Sequence, residues 1–353
     1  MDFPKAFDCI DHDILLRKMH FYGIWGLPYN WFVSYLHERK QFVNANNINS
    51  SIRFVSHGVP QGSILGPLLF LIFINDFPEI NPFFKFCIFA DDSTLTCKFD
   101  TSDETVIKNR IEDELLIVHR WLVMNKIKVN YTKSKFIIFS YGKIFSLDTI
   151  VLGHNSIRST DDIKFLGIYV DKHLTFRSHV NSICNKVSKI VGLLFRLNNI
   201  LPIEALKTLY TSLLIPHLLY GIEIWYGIHQ YNNDRVFKLQ KKAIRAINCL
   251  SYNSHTNDYF KSMQFLKLED MYKQRALLFI FNSTSILTHE DIHNYNTRYS
   301  NNIVLPQFYR TKTQSTIFYK GINLWNDLPQ DIKDLRYRGA FKNSLKLLFL
   351  NEY

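Results

Sequence analysis

The spacing of apolar positions divides the chain into a first half of mixed helix and strand patterns and a mostly helical second half. The clearest pattern is an apolar stripe at i, i+4, i+8, i+11 and i+15, which predicts an amphipathic helix over 102–125. Residues 101–104 match a capping box at its start. Other helices are predicted over 13–22, 28–38, 65–77, 179–197, 203–220, 235–250, 269–286 and 338–350. Short β-type runs predict strands over 86–90, 94–98, 136–140 and 165–170, and Asn46-Asn47 predicts a hairpin joining 41–44 to 52–56.

Length and charge narrow the class of protein. The 353 residues suit two or three domains, and the net charge of +11 favours a polyanionic partner, either nucleic acid or an anionic membrane surface. The five cysteines show no C-x-x-C spacing, which argues against a disulfide framework or a zinc site. We find no secretory signal, and the most apolar run, 63–74, is too short to span a bilayer. The sequence thus predicts an intracellular protein with no membrane partner, and it leaves nucleus versus cytoplasm and the oligomeric state open.

Three acidic residues, Asp2 and the pair Asp91-Asp92, can be interpreted as one site. Successive carboxylates in an extended strand point to opposite faces, so their use at one place requires a tight turn between two strands, which the flanking runs supply. Clustered carboxylates need a neutralising cation, and hard oxygen ligands select Mg²⁺. Two such ions can stabilise the attacking and leaving oxygens of a phosphoryl transfer. Taken alone, an Asp-Asp dipeptide more often caps a surface turn.

A loop punctuated by glycine and proline, G-V-P-Q-G-S-I-L-G-P, precedes the predicted helix 65–77. Such a loop lets the backbone approach a ligand, and Gln61 offers both a donor and an acceptor. The same loop could be only a connection from strand to helix.

In combination, the ordered segments resemble the palm of reverse transcriptases from non-LTR (LINE-like) retrotransposons. They are D-F-P-K-A-F-D (2–8), the loop G-V-P-Q-G-S-I-L-G-P-L-L-F, I-N-D (74–76), F-A-D-D (89–92), W…N-K…N-Y-T-K-S (121–134) and F-L-G-I-Y-V-D (165–171). Weaker similarities continue at 240–245, 293–298 and 324–329, so the resemblance covers nearly the whole chain.

The resemblance implies an α+β fold: a polymerase-type right-hand palm with an antiparallel sheet and packed helices, then a mostly helical thumb and C-terminal region, with the fingers largely missing. We expect the palm over 1–175, a basic helical thumb-like region over 176–260, and a mostly helical region of unknown role over 261–353. The implied activity is RNA-directed DNA synthesis. The implied partners are an RNA template, a DNA primer and deoxynucleoside triphosphates, with two Mg²⁺ ions, or Mn²⁺ as a substitute.

Residue roles follow from the same motifs. The resemblance makes Asp2, Asp91 and Asp92 the catalytic metal ligands, with the carbonyl of Phe3 as a further ligand.

Four other positions match the family's nucleotide site. Phe7 would stand beside the sugar of the incoming nucleotide, Gln61 and Gly62 would line its pocket, and Lys133 would lie near the leaving pyrophosphate as an acid. Each has a structural alternative: Phe7 suits a core position, and Lys133 is equally well explained as a solvated end of its segment.

The segment 176–250 carries ten Lys or Arg against three Asp or Glu. Within the predicted helix 235–250, basic residues repeat opposite an apolar stripe, which suits a phosphate backbone. We therefore predict nucleic-acid binding by this face, with a solvated basic surface as the alternative; its members are Arg235, Lys238, Lys242 and Arg245.

Two further expectations concern what the sequence does not support. Residues 289–293 satisfy H-E-x-x-H, but poor helix formers follow, so we take the match as coincidental.

The family has a fingers region before its first catalytic strand, and its absence here suggests a truncated reading frame. Two hypotheses follow: a reverse transcriptase, or a catalytically inactive remnant that at most binds nucleic acid. We expect little or no primer extension by the chain alone.

Overall fold

The computed structural model describes residues 1–60, 62–140, 142, 145–283, 302–305 and 311–353. The chain divides into two compact units, Met1–Leu166 and Gly167–Tyr353. The first mixes helices with short strands and the second is mostly helical, as the pattern predicts. The division into regions 1–175, 176–260 and 261–353 stays a prediction.

The first unit begins with a 3₁₀ turn at Ala6–Asp8, and a second 3₁₀ turn spans Phe77–Ile80. Its α-helices are α1 (His12–Phe21), α2 (Gly26–Leu36), α3 (Leu65–Ile74) and α4 (Glu104–Met124). Its strands are β1 (Arg39–Gln41), β2 (Asn44–Ala45), β3 (Ile48–Asn49), β4 (Arg53–Val55), β5 (Lys85–Phe89), β6 (Asp92–Thr96), β7 (Lys135–Phe136), β8 (Thr149–Leu152), β9 (Asn155–Ser159) and β10 (Asp162–Phe165). Antiparallel pairs join β1 to β4, β2 to β3, β5 to β6 and β8 to β9, while β7 runs parallel to β9.

The second unit starts with strand β11 (Ile168–Asp171) and continues as helices. Its described helices are α5 (Arg177–Leu197), α6 (Ile203–Leu209), α7 (Ile215–Leu219), α8 (Ile222–Trp225), α9 (Gln230–Ile247), α10 (Asn257–Ser262), α11 (Leu268–Phe281), α12 (Thr311–Gln314), α13 (Ile317–Asn326), α14 (Gln330–Lys333) and α15 (Arg338–Asn351). In the described part of the chain, no helix has both the length and the apolar character needed to cross a bilayer. The H-E-x-x-H match at 289–293 lies outside the described residues.

The predicted hairpin around Asn46-Asn47 is confirmed. Both asparagines have a left-handed backbone, with φ of 51° and 63°, as a two-residue turn of this twist requires. The turn closes the short pair β2 and β3, and the pair β1 and β4 extends the hairpin toward its base.

The capping box predicted at 101–104 is wrong, although the helix it introduces is present. Asp103 is the cap, and its Oδ1 accepts hydrogen bonds from the N–H groups of Thr105 (2.9 Å) and Val106 (3.3 Å). Aspartate is at least as good a cap as threonine, so the helix begins two residues later than expected. The Glu104 carboxylate instead accepts a hydrogen bond from the Ser146 hydroxyl at 2.7 Å.

The helix predicted over 203–220 is interrupted by a π-helical turn at Tyr210–Leu214. Pro216 has no N–H to donate to the turn before it, which favours a local change of winding. The Ile215 N–H bonds the carbonyl of Tyr210, five residues back.

Each unit has its own core. In the first, α1, α3 and α4 bury Phe73, Phe77 and Leu122 together with Phe3 from the first segment. In the second, α5 packs against α9, and the apolar stripe predicted for 235–250 faces inward through Val236 and other residues.

Candidate active site

Asp91 and Asp92 lie where strand β5 turns into β6. The pairing of Phe89 with Asp92 leaves Ala90 and Asp91 as a two-residue turn, in which Ala90 has a left-handed φ of 51°. Asp91 is therefore in the turn and Asp92 is the first residue of β6, both exposed. The sequence-based expectation of a tight turn at this pair is confirmed.

Asp2 lies beside that turn. It forms an antiparallel β-bridge with Asp92, flanked by hydrogen bonds from the Phe3 N–H to the Asp91 carbonyl (3.3 Å) and from the Ser93 N–H to the Met1 carbonyl (3.1 Å). The Phe3 side chain is 1% exposed and anchors this segment in the core. The fold thus brings the three predicted carboxylate residues and Phe3 together on adjacent backbone.

The loop 130–134 holds Asp2 on its other side. The Asn130 N–H donates to the Asp2 carbonyl at 2.9 Å, and the Asp2 N–H donates to the Ser134 hydroxyl at 3.2 Å. From the same loop, Lys133 Nζ lies 3.9 Å from Asp2 Oδ2. Lys133, which the sequence suggested only by resemblance, is therefore at the predicted acidic site.

The donor set suits a hard divalent cation. Asp2 Oδ2 is buried and accepts no hydrogen bond, so it is an acceptor that a cation would satisfy. Carboxylate oxygens are the ligands that Mg²⁺ takes in proteins. Among the described residues, no three acidic, histidine or cysteine side chains are already grouped to hold an ion. Binding would therefore require the carboxylates to turn toward a common point.

Phe7 lies where the glycine-rich loop meets the first segment. Its ring is half-buried and packs on Phe70, with centroids 4.8 Å apart. Its carbonyl accepts a hydrogen bond from the Val59 N–H at 2.8 Å. Gly62 is exposed with φ of 82°, and Gln61 is outside the described residues.

Gly58 lets the loop approach the first segment closely enough for the hydrogen bond between Val59 and Phe7. The Gly58 N–H donates to the Ile10 carbonyl at 2.7 Å, and φ is 85°. A Cβ at this position would come within 2.9 Å of the Asp8 backbone. The loop can therefore approach the first segment only because residue 58 has no side chain.

An ionic cluster that sequence reasoning missed connects three segments of the first unit that are distant in sequence. The Asp11 carboxylate accepts hydrogen bonds from the Ile14 N–H (3.0 Å) and from Lys126 Nζ (2.6 Å), and lies 3.6 Å from His57 Nε2. Burial raises the pKa of Asp11, but the hydrogen bonds and the positive charge of Lys126 outweigh it, so the net pKa is below the ordinary value. Asp11 before a helix is visible in the sequence as a cap, whereas its contact with Lys126 is not.

The four residues predicted to form a basic face on helix α9 have different surroundings. Arg235 donates to Asn181 Oδ1 at 2.8 Å, and Arg245 Nε donates to the Ser254 carbonyl at 3.0 Å. Lys238 is exposed, and Lys242 Nζ lies 5.8 Å from the centre of the Tyr252 ring. Nucleic-acid binding by this face stays a prediction.

Comparison with known proteins gives a consistent result. Residues 1–170 match the family described as reverse transcriptase (RNA-dependent DNA polymerase). A probable RNA-directed DNA polymerase from transposon BS of Drosophila melanogaster is 29% identical over 269 residues, which cover 71% of this chain and 29% of that protein. The RNA-directed DNA polymerase from mobile element jockey of the same species is 28% identical over 282 residues, covering 76% and 30%. The jockey protein of Drosophila funebris is 27% identical over 292 residues, covering 78% and 31%. The chain spans less than a third of the length of these relatives.

Proposed function

We propose that this chain, whose residues 1–170 constitute a reverse transcriptase domain homologous to those of non-LTR retrotransposons, carries the catalytic part of an RNA-directed DNA polymerase. It would add deoxynucleotides to a primer 3′-OH along an RNA template. The observation that carries the proposal is the backbone bridge that places Asp2 beside Asp91-Asp92.

In this proposal the three carboxylates and the Phe3 carbonyl hold two Mg²⁺ ions, or Mn²⁺. Bound there, the ions supply positive charge to the reacting oxygens of a phosphoryl transfer. The buried Oδ2 of Asp2, which accepts no hydrogen bond, supports this role. Lys133, 3.9 Å from that oxygen, would leave it for the pyrophosphate and could donate a proton there.

The remaining assignments concern the nucleotide and the duplex. Phe7 and the loop carrying Gln61 and Gly62 would form the nucleotide pocket, and the Phe7–Val59 hydrogen bond supports their proximity. The hairpin of β5 and β6 would belong to an antiparallel palm sheet. Helix α9 would act as part of a thumb that holds the primer–template duplex by shape and charge.

One observation favours a second candidate, nucleic-acid binding without turnover. Within the described residues the acidic side chains are not grouped as a metal-binding cluster, and Asp2 is paired with Lys133. Electrostatic catalysis depends on charges that are held in place in advance. A chain whose carboxylates cannot converge could still bind nucleic acid through its basic residues, but it would not extend a primer.

Mn²⁺ binding tests the site independently of turnover. We would titrate Mn²⁺ into the chain with a deoxynucleoside triphosphate present, follow the ion by electron paramagnetic resonance, and compare Asp2→Asn and Asp91→Asn. The matched control is Asp100→Asn, because Asp100 is an exposed carboxylate of the same unit that pairs only with the equally exposed Lys98 in the described contacts. Each site variant should lose at least ~10-fold in affinity, about 1.4 kcal/mol, while the control binds as wild type.

Primer extension on an RNA template, measured in the same preparations, separates the two candidates. Metal-dependent incorporation, however slow, that disappears in Asp91→Asn supports the polymerase. Carboxylate-dependent Mn²⁺ binding with no incorporation supports binding without turnover. Mn²⁺ binding that ignores Asp2 and Asp91 contradicts the site itself.

A further inference from the structure

A stacked series of aromatic and cationic side chains lies on helix α2 and strand β1. The rings of Trp31 and Tyr35 are parallel within 11°, with centroids 5.3 Å apart. The Arg39 guanidinium lies over the Tyr35 ring at 5.3 Å. The i, i+4 spacing on helix α2 aligns Trp31 with Tyr35, and Arg39 follows as the first residue of strand β1.

The hairpin of β1 and β4 extends this series. Arg39 pairs with Val55 and Gln41 pairs with Arg53, so Arg39 and Arg53 share one face of the hairpin. The pair Lys40 and Phe54 occupies the other face, where Lys40 Nζ lies 5.2 Å from the ring centre. We call the set Trp31, Tyr35, Arg39 and Arg53 the aromatic–cation surface.

The exposure and charge of this surface point to a ligand. Trp31 is 53% exposed, and its ring is stacked on that of Tyr35. Large exposed apolar side chains grouped together mark binding surfaces more often than isolated ones do. Between residues 31 and 55 the cations are Arg39, Lys40 and Arg53, and the only acid is Glu38. Flat rings between positive charges complement an unpaired base and its phosphates.

We propose that the aromatic–cation surface binds single-stranded nucleic acid, with a base stacked on the outer face of Trp31 and phosphates near Arg39 and Arg53. This rests on the proposed function, because the natural ligand would be the template strand before it pairs. Strand β4 ends at Val55, and Val59 bonds the Phe7 carbonyl. At most ~14 Å of extended chain separates Val55 from Val59, so the strand that carries Arg53 ends near the proposed nucleotide pocket.

The test compares a short oligouridylate with a blunt-ended duplex, both fluorescently labelled, by anisotropy. Trp31→Leu and Arg39→Gln should each weaken binding of the single strand by ~5–10-fold and leave duplex binding unchanged. Oligouridylate should also quench the tryptophan fluorescence of the wild-type chain, and this quenching should be absent in Trp31→Leu. Trp25→Leu and Lys98→Gln are the matched controls, since Trp25 is 63% exposed but contacts His20 instead, and Lys98 pairs with Asp100.

Circular dichroism must first show that each variant is folded. Unchanged single-strand affinity in both variants, with duplex binding intact, overturns the surface proposal alone. Wild-type chain that binds neither ligand contradicts the proposed function as well. Self-association in sedimentation that Trp31→Leu abolishes would show that the surface contacts a second copy, which also overturns the proposal.

Discussion

At the scale of single residues, Asp11 joins three segments that surround the candidate site. Its carboxylate caps helix α1 and contacts Lys126 and His57. Because the net pKa of Asp11 is lowered, the folded chain holds the ionised form more strongly than the unfolded chain does. The contribution of Asp11 to the free energy of unfolding is therefore fully present above the pKa of the unfolded chain, about 4. It is lost as the pH falls through the lower pKa of the folded chain.

Asp11→Asn should keep the cap and remove the charge. We expect a loss of ~1–2 kcal/mol in the free energy of unfolding at neutral pH, since Lys126 is largely exposed and its attraction is screened. Urea unfolding at neutral and acidic pH would measure the loss and show it shrinking in acid. The matched control is Asp103→Asn, a cap with no ion pair in the described contacts, which should change stability by less than ~0.5 kcal/mol. Equal losses in the two variants would contradict an ionic role.

Gly58→Ala should be costly for two reasons. Its backbone is left-handed, and the added Cβ would come within 2.9 Å of the Asp8 backbone. Gly23→Ala isolates the first reason, since Gly23 has φ of 86° and nothing within 4 Å of an added Cβ. We expect ~1 kcal/mol for Gly23→Ala and at least ~2 kcal/mol for Gly58→Ala by chemical denaturation. Similar values would mean that the loop moves aside without cost.

The residues of the site differ in how far the sequence could predict them. Asp91-Asp92 was predictable because the turn is local and its flanking strands have a clear pattern. Asp2 and Lys133 were placed by resemblance, and the bridge and loop contacts that bring them together depend on long-range packing. The Asp11–Lys126 pair spans 115 positions, and nothing in periodicity or spacing indicates a partner at that separation.

At the scale of elements, helix α9 carries two arginines that hydrogen-bond within the fold and two lysines that have no hydrogen bond in the described contacts. Arg235 and Arg245 are engaged with Asn181 and Ser254, whereas Lys238 is exposed and Lys242 is half-buried beside the Tyr252 ring. The double change of Lys238 and Lys242 to Gln should reduce the slope of log K for duplex binding against log salt concentration by ~2 in magnitude. The free energy of unfolding should stay unchanged. Anisotropy titrations at several salt concentrations would measure it. A slope identical to wild type, or to a Lys98→Gln control, would leave these lysines as solvated surface.

Gln240 is a fully buried polar residue of the same helix. Its Nε2 donates to the Tyr210 hydroxyl and the Leu266 carbonyl, both at 3.0 Å, and its Oε1 accepts from the Leu268 N–H at 2.9 Å. Gln240→Leu would leave buried polar partners unpaired, with an expected loss of ~2–4 kcal/mol in thermal or urea unfolding. Gln264→Leu is an exposed control expected to change little. A stable Gln240→Leu variant would show that the partners find other bonds.

The elements also show where local reasoning fails. The helices were predictable because their apolar periodicity is strong, and the asparagine turn because its chemistry is specific. The winding change at 210–214 was not predictable, because Pro216 indicates a break but not its form. The cap of α4 was misassigned because Thr101, Ser102 and Asp103 are all competent caps in a row.

At the scale of the molecule, two units with separate cores should unfold separately. We expect two transitions in calorimetry, each shifted by mutations in its own core. Asp11→Asn should lower one transition and Gln240→Leu the other, with additive effects in the double variant, because the two sites share no partner. A single transition moved equally by both changes would show one cooperative structure.

The turn at Ala90 makes the geometry of the candidate site depend on the sheet around it. Alanine disfavours the left-handed backbone by ~1 kcal/mol, so the residue does not hold this conformation by its own preference. The pairing of β5 with β6 and the bridge to Asp2 impose it. If that pairing were lost, Ala90 would relax and Asp91 would swing away from its partner. The turn therefore couples the position of Asp91 to the integrity of the sheet: a chain that loses the pairing of β5 with β6 also loses the adjacency of Asp2 and Asp91.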